Sequence, residues 1–116
     1  MRHGFGGLVL TTLLLLPVAA CAGSASPDAG PVATAHVDLP KSYLFSPADI
    51  AVKAGTTVTW TNSDSFTHSV RLIDGGQIVG TMKPGDTVSF TFAKAGTYKY
   101  DCSFHPQNMK GTVTVQ

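Results

Sequence analysis

From residue 102 to residue 109 the chain reads Cys-Ser-Phe-His-Pro-Gln-Asn-Met, so a thiol, an imidazole and a thioether (Cys102, His105, Met109) share one short stretch. All three are donors for soft or borderline transition metals. A loop between two strands would let them turn toward a single ion, and Pro106 beside His105 stiffens that loop by fixing a backbone torsion. A fourth donor must come from elsewhere. His68 fits, in the run Trp60-Thr61-Asn62-Ser63-Asp64-Ser65-Phe66-Thr67-His68-Ser69-Val70, with 33 residues between it and Cys102. Two imidazoles, a thiolate and a thioether suit copper better than the hard cations, which prefer carboxylate and carbonyl oxygen. Cys-x-x-His spacing also serves zinc, although a structural zinc site would favour a fourth His or Cys over a thioether. As a thiol nucleophile and its base, Cys102 and His105 lack a fitting Asn or Asp to orient the imidazole. Asn62 and Asp64 are read as ordering the turn before His68, Met82 as packing, and His36 as structural.

The elements that must position these residues follow a two-residue alternation between turn signals, with no helical period of useful length. Ile50 and Val52 alternate before Ala54-Gly55, Val58 and Trp60 alternate with threonines, and His68, Val70 and Leu72 share a face before Asp74-Gly75-Gly76. Val88, Phe90 and Phe92 follow Lys83-Pro84-Gly85-Asp86; Tyr98, Tyr100 and Cys102 share a face after Gly96; Val113 and Val115 close the chain. The fold class expected is all-β, a Greek-key β-sandwich of about seven to eight strands. Strand parity turns the Cys102 sulfur inward. Trp60, Phe90 and Phe92 are core candidates, and Phe66 or Phe104 could cover the site.

A His₂Cys set with a weak axial Met is the composition of blue-copper electron-transfer sites. With the Trp-x-Asn-x-Asp-x-x-x-His segment (60–68), the Phe45-Ser46-Pro47 start and the closing Gly-Thr-Val-x-Val strand, the sequence resembles cupredoxins of the plastocyanin and amicyanin type. The resemblance implies one copper ion per chain, His68, Cys102 and His105 as equatorial ligands, and Met109 as the axial one. It places Ser69, where many relatives carry Asn, and Ser103 in the hydrogen bonding around the sulfur. It implies single-electron shuttling between redox partner proteins, docked on an apolar patch of Phe104, Pro106 and Met109 around a partly exposed His105, with the chain acting as a monomer and transforming no substrate. A copper chaperone, store or scavenger on the same fold is the alternative. Three residues separate His105 from Met109, where amicyanin-like sequences have two and plastocyanin-like ones four, so axial bond length, colour and potential do not carry over.

The N-terminus has the order of a secretory signal in residues 1–20: Arg2 and His3, the apolar run from Leu8, then Val18-Ala19-Ala20-Cys21. From Leu8 to Ala20 is 13 residues, short of the roughly 20 needed to span a bilayer as a helix. Val18-Ala19-Ala20-Cys21 resembles a bacterial lipobox, so Cys21 is the expected lipidation site and residues 21–35 a flexible, Ala/Gly/Ser/Pro-rich linker. The globule is then 36–116, held by lipid on the outer face of the cytoplasmic membrane or in the periplasm. With Cys21 committed to lipid, Cys102 is left without a disulfide partner. Eight Lys+Arg against seven Asp+Glu, for a formal net charge of +1, offer no basic stripe for nucleic acid.

Overall fold

The computed structural model describes residues 30–116 and the isolated Gly4; the expected signal, Cys21 and most of the linker lie outside the described residues. Among the described residues nine strands form: β1 Val32–Ala33, β2 His36–Leu39, β3 Asp49–Val52, β4 Thr56–Asn62, β5 His68–Leu72, β6 Ile78–Met82, β7 Thr87–Phe92, β8 Gly96–Asp101 and β9 Lys110–Val115. One sheet has the order β1-β3-β9-β8-β5-β6 and the other β2-β4-β7. Both are mixed, since β1/β3, β3/β9 and β2/β4 pair in parallel and the remaining pairs are antiparallel.

Alternation explains the packing. Val37, Leu39, Ile50, Val58, Trp60, Val70 and Val113 point between the sheets and are fully buried. The intervening positions of β4 face outward, where Thr57, Thr59 and Thr61 share hydrogen bonds with Thr91, Ser89 and Thr87 of β7. Trp60, Phe92 and Tyr100 fill the centre, with the Trp60 and Tyr100 rings edge to face at 5.5 Å.

The strand count exceeds the expected seven to eight. Val32–Ala33, read from composition as linker, pairs with Ile50–Ala51 as an edge strand. Its small, exposed residues carry no alternation, and backbone pairing alone holds them. Strand β6 escapes the period-two test because Gly80 interrupts it and the register against β5 shifts between Val70 and Arg71. A Cβ at Gly80 would come 2.5 Å from Val88 Cγ1, so the glycine lets β7 approach closely.

Two features fix the end of the sandwich that carries β5 and β8. The Tyr100 hydroxyl donates to the Ala48 carbonyl at 2.7 Å, and Gly111 beside it leaves the room: a Cβ there would overlap both the Tyr100 ring and the Ala48 oxygen. Arg71 of β5 grips Asp101 of β8 in a two-pronged ion pair, Nε to Oδ1 at 2.8 Å and Nη2 to Oδ2 at 2.7 Å. These residues are cross-strand partners, so the pair locks the strand that starts at His68 to the strand that ends before Cys102.

Candidate metal centre

His68 opens β5 and Cys102 follows the last residue of β8, so two strands of one sheet deliver an imidazole and a sulfur to the same end of the sandwich. Both side chains are fully buried. The segment after Cys102 is closed by its own backbone. His105 N–H donates to the Cys102 carbonyl (3.1 Å), Met109 N–H to the His105 carbonyl (3.0 Å), and Cys102 N–H to the Met109 carbonyl (3.1 Å). This tight coil turns His105 back over the sulfur and pins Met109, itself fully buried, beside Cys102.

The Cys102 sulfur lies 3.9 Å from His68 Nδ1 and 3.7 Å from His105 Nδ1, and all three donor atoms fall within 4.8 Å of one another. Those separations test whether a metal fits. With bonds of the length zinc makes, about 2.0–2.1 Å to nitrogen and about 2.3 Å to thiolate, donors spread at 120° in a plane would stand about 3.8 Å apart, sulfur to nitrogen. The two sulfur-to-nitrogen separations match that requirement.

A network of hydrogen bonds surrounds the donors. Ser69 N–H points at the Cys102 sulfur at 3.4 Å and the Ser69 hydroxyl lies 3.9 Å from it. The same hydroxyl shares a 2.7 Å hydrogen bond with the Ser103 hydroxyl and accepts Ser103 N–H at 2.8 Å, tying the His68 strand to the Cys102 loop. Asp64, expected only to order the preceding turn, does so by accepting Ser65 N–H at 2.7 Å, and its other oxygen meets His68 Nε2 at 2.8 Å. The hydrogen bond to His68 holds the Asp64 carboxyl below its ordinary range, against the opposing effect of burial. Asn62 braces the turn, donating to the Phe66 and Met82 carbonyls and accepting Asp64 N–H.

Tyr43 is a member of the site that sequence patterning misses. Its ring meets His105 edge-on at 4.7 Å and His68 at 5.9 Å, and stacks on Phe66 at 5.4 Å. It reaches that position through consecutive positive-φ residues, Ser42 (96°) and Tyr43 (56°), a backbone region that non-glycine residues uncommonly adopt. An aromatic in an irregular loop has no periodicity to betray it. His105 is half-buried; Phe104 next to it in the chain and Phe66, which stacks on the Tyr43 ring, are both more than half exposed. Met82 is fully buried packing, and His36 is exposed on β2, away from the donor cluster.

The sequence model described as copper binding proteins, plastocyanin/azurin family, matches residues 33–116. The chain belongs to this family. A plastocyanin of Scenedesmus fuscus is 36% identical over 88 residues, 65% of this chain and 89% of that one. An amicyanin of Paracoccus denitrificans is 38% identical over 87 residues, 69% of this chain and 63% of its own length. Among solved structures, a purple cupredoxin from Nitrosopumilus maritimus matches with a TM-score of 0.63 at 35% identity, covering 72% of this chain and 100% of that one. In this copper-binding family, His68, Cys102, His105 and Met109 are the residues placed to form the copper site.

Proposed function

We propose that this protein is a mononuclear copper electron carrier, with His68, Cys102 and His105 as equatorial ligands and Met109 as the axial one. Copper, when bound, supplies one-electron exchange between Cu(I) and Cu(II). The carrying observation is the preformed donor triangle, with sulfur-to-nitrogen separations of 3.9 and 3.7 Å set by backbone and buried packing before any ion arrives. A scaffold that fixes its donors this way leaves little to rearrange between oxidation states. Full burial of Cys102 also speaks against a thiol nucleophile, which must meet its substrate.

His105 is the port for electrons, since it alone of the three donors is partly exposed. The exposed Phe104 and Pro106 beside it suit small, transient docking of a redox partner, whereas Met109, expected in that patch, is fully buried and takes no part in it. The chain works outside the cytoplasm, tethered through lipid on Cys21 by a short linker; this rests on the order of residues 1–35. Intact mass of the exported protein tests the anchor, and an unmodified Cys21 would refute it.

The test of function is the visible and electron paramagnetic spectrum after adding Cu(II), with reversible one-electron voltammetry. Intense thiolate charge-transfer colour is expected, lost in Cys102→Ser and retained but shifted in Met109→Leu. A colourless site stripped readily by chelators would instead favour a copper-handling role.

A further inference from the structure

Asp64 has geometry that the ligand set alone does not require. Its carboxylate is almost wholly enclosed, with side-chain exposure of 3% against 0% for His68. Both oxygens face N–H donors: Oδ1 accepts from Ser65 N at 2.7 Å, and Oδ2 stands 2.8 Å from His68 Nε2. An ionised carboxylate only accepts hydrogen bonds. The proton of the neutral imidazole must therefore sit on Nε2, which leaves a lone pair on Nδ1, the atom facing the Cys102 sulfur.

Resting on the copper reading, we infer that Asp64 is a positioning residue that fixes His68 as the Nε2–H tautomer before metal arrives and, through its buried negative charge, biases the bound ion toward Cu(II). The turn is built to present it. Asn62 accepts Asp64 N–H at 3.0 Å and anchors to the Phe66 and Met82 carbonyls, so the carboxylate has little freedom to leave. A hydrogen-bonded carboxylate behind a ligating imidazole orients the ring and raises its basicity. A nearby negative charge in a dry setting favours the more highly charged metal state.

Asp64→Asn is the sharpest perturbation because it is isosteric and offers one acceptor oxygen where two N–H groups require one each. In metal-free protein labelled with 15N at histidine, the parent His68 should give a single Nε2–H tautomer and Asp64→Asn a mixture. Asp64→Ala, which removes both acceptors and adds no donor, should give the same mixture. Competition with chelators selective for each oxidation state supplies the second readout. The Cu(II)/Cu(I) affinity ratio should fall about tenfold in Asp64→Asn, equivalent to a rise of about 59 mV in a one-electron potential. A single Nε2–H tautomer in both variants, or an unchanged ratio in folded Asp64→Asn, overturns the inference. A parent chain that binds no copper refutes the electron-carrier reading and with it the Cu(II) bias, while the metal-free tautomer experiment still decides the positioning role.

Discussion

Replacing Ser69 by alanine removes the hydroxyl oxygen that ties the His68 strand to the Cys102 loop through two hydrogen bonds. The Ser69 hydroxyl engages the Ser103 hydroxyl at 2.7 Å and accepts Ser103 N–H at 2.8 Å. Each such neutral hydrogen bond contributes about 0.5–1.5 kcal/mol net, so the two together are worth about 2 kcal/mol. Ser69 is fully buried, and water cannot simply take over its side of the contact. For a domain of this size each kcal/mol moves the midpoint by about 4–8 °C, so Ser69→Ala should lower Tm by about 8–16 °C. The measurement belongs on metal-free protein, where copper cannot mask the loss through its own binding energy. Pairing the variant with Ser103→Ala in a double-mutant cycle isolates the contact, and a coupling of about 1 kcal/mol is expected. The Ser69 N–H to sulfur contact is backbone and persists in the variant, so the charge-transfer band should shift without disappearing. A Tm within about 2 °C of the parent, or zero coupling in the cycle, would refute the claim that these hydroxyls tie the ligand segments together.

Gly111→Ala should destabilise by about 1–3 kcal/mol, the usual range for overpacking, because its Cβ would overlap the Tyr100 ring and the Ala48 oxygen; chemical denaturation measures this. Burial holds the Tyr100 phenol well above its ordinary range. Its contribution to stability is thus complete below about pH 10, where the unfolded phenol ionises, and is lost as pH rises further. Tyr100→Phe should flatten the stability profile above that point, and Ala48 keeps a donor in Thr112 N–H at 3.0 Å; an equally steep decline would count against it. Phe104→Ser should leave Tm nearly unchanged, since the side chain is 55% exposed, yet slow electron exchange with a docked protein partner in stopped-flow measurements. Arg71→Leu should lower stability by stranding the Asp101 carboxylate, 4% exposed, and should broaden the copper spectrum as β5 loosens against β8.

Much of the site was legible because its donors are close in sequence or set by parity. Cys102, His105 and Met109 fall in one run, and the alternation Tyr98, Tyr100, Cys102 already turns the sulfur inward. His68 was legible by the same logic, as the first residue of an alternating strand. Asp64 was visible as a turn residue, but its second contact depends on how the turn folds back. The i,i+4 spacing to His68 resembles a helical pair, whereas here a bend braced by Asn62 brings the groups together.

The sequence alone determined the residue types and the strand pattern: an all-β globule carrying a thiol, two imidazoles and a thioether, because side-chain chemistry and period-two alternation are local properties. Tertiary structure decided the distances. Only the pairing of β5 with β8 sets a 3.9 Å separation between groups 34 positions apart. Only the left-handed turn at Ser42 and Tyr43 lays an aromatic ring against both histidines. Val32–Ala33 likewise becomes a strand because β3 offers a free edge, not because its own residues prefer to be extended. Such contacts depend on how distant segments exclude water from one another, and that information is spread over the whole chain.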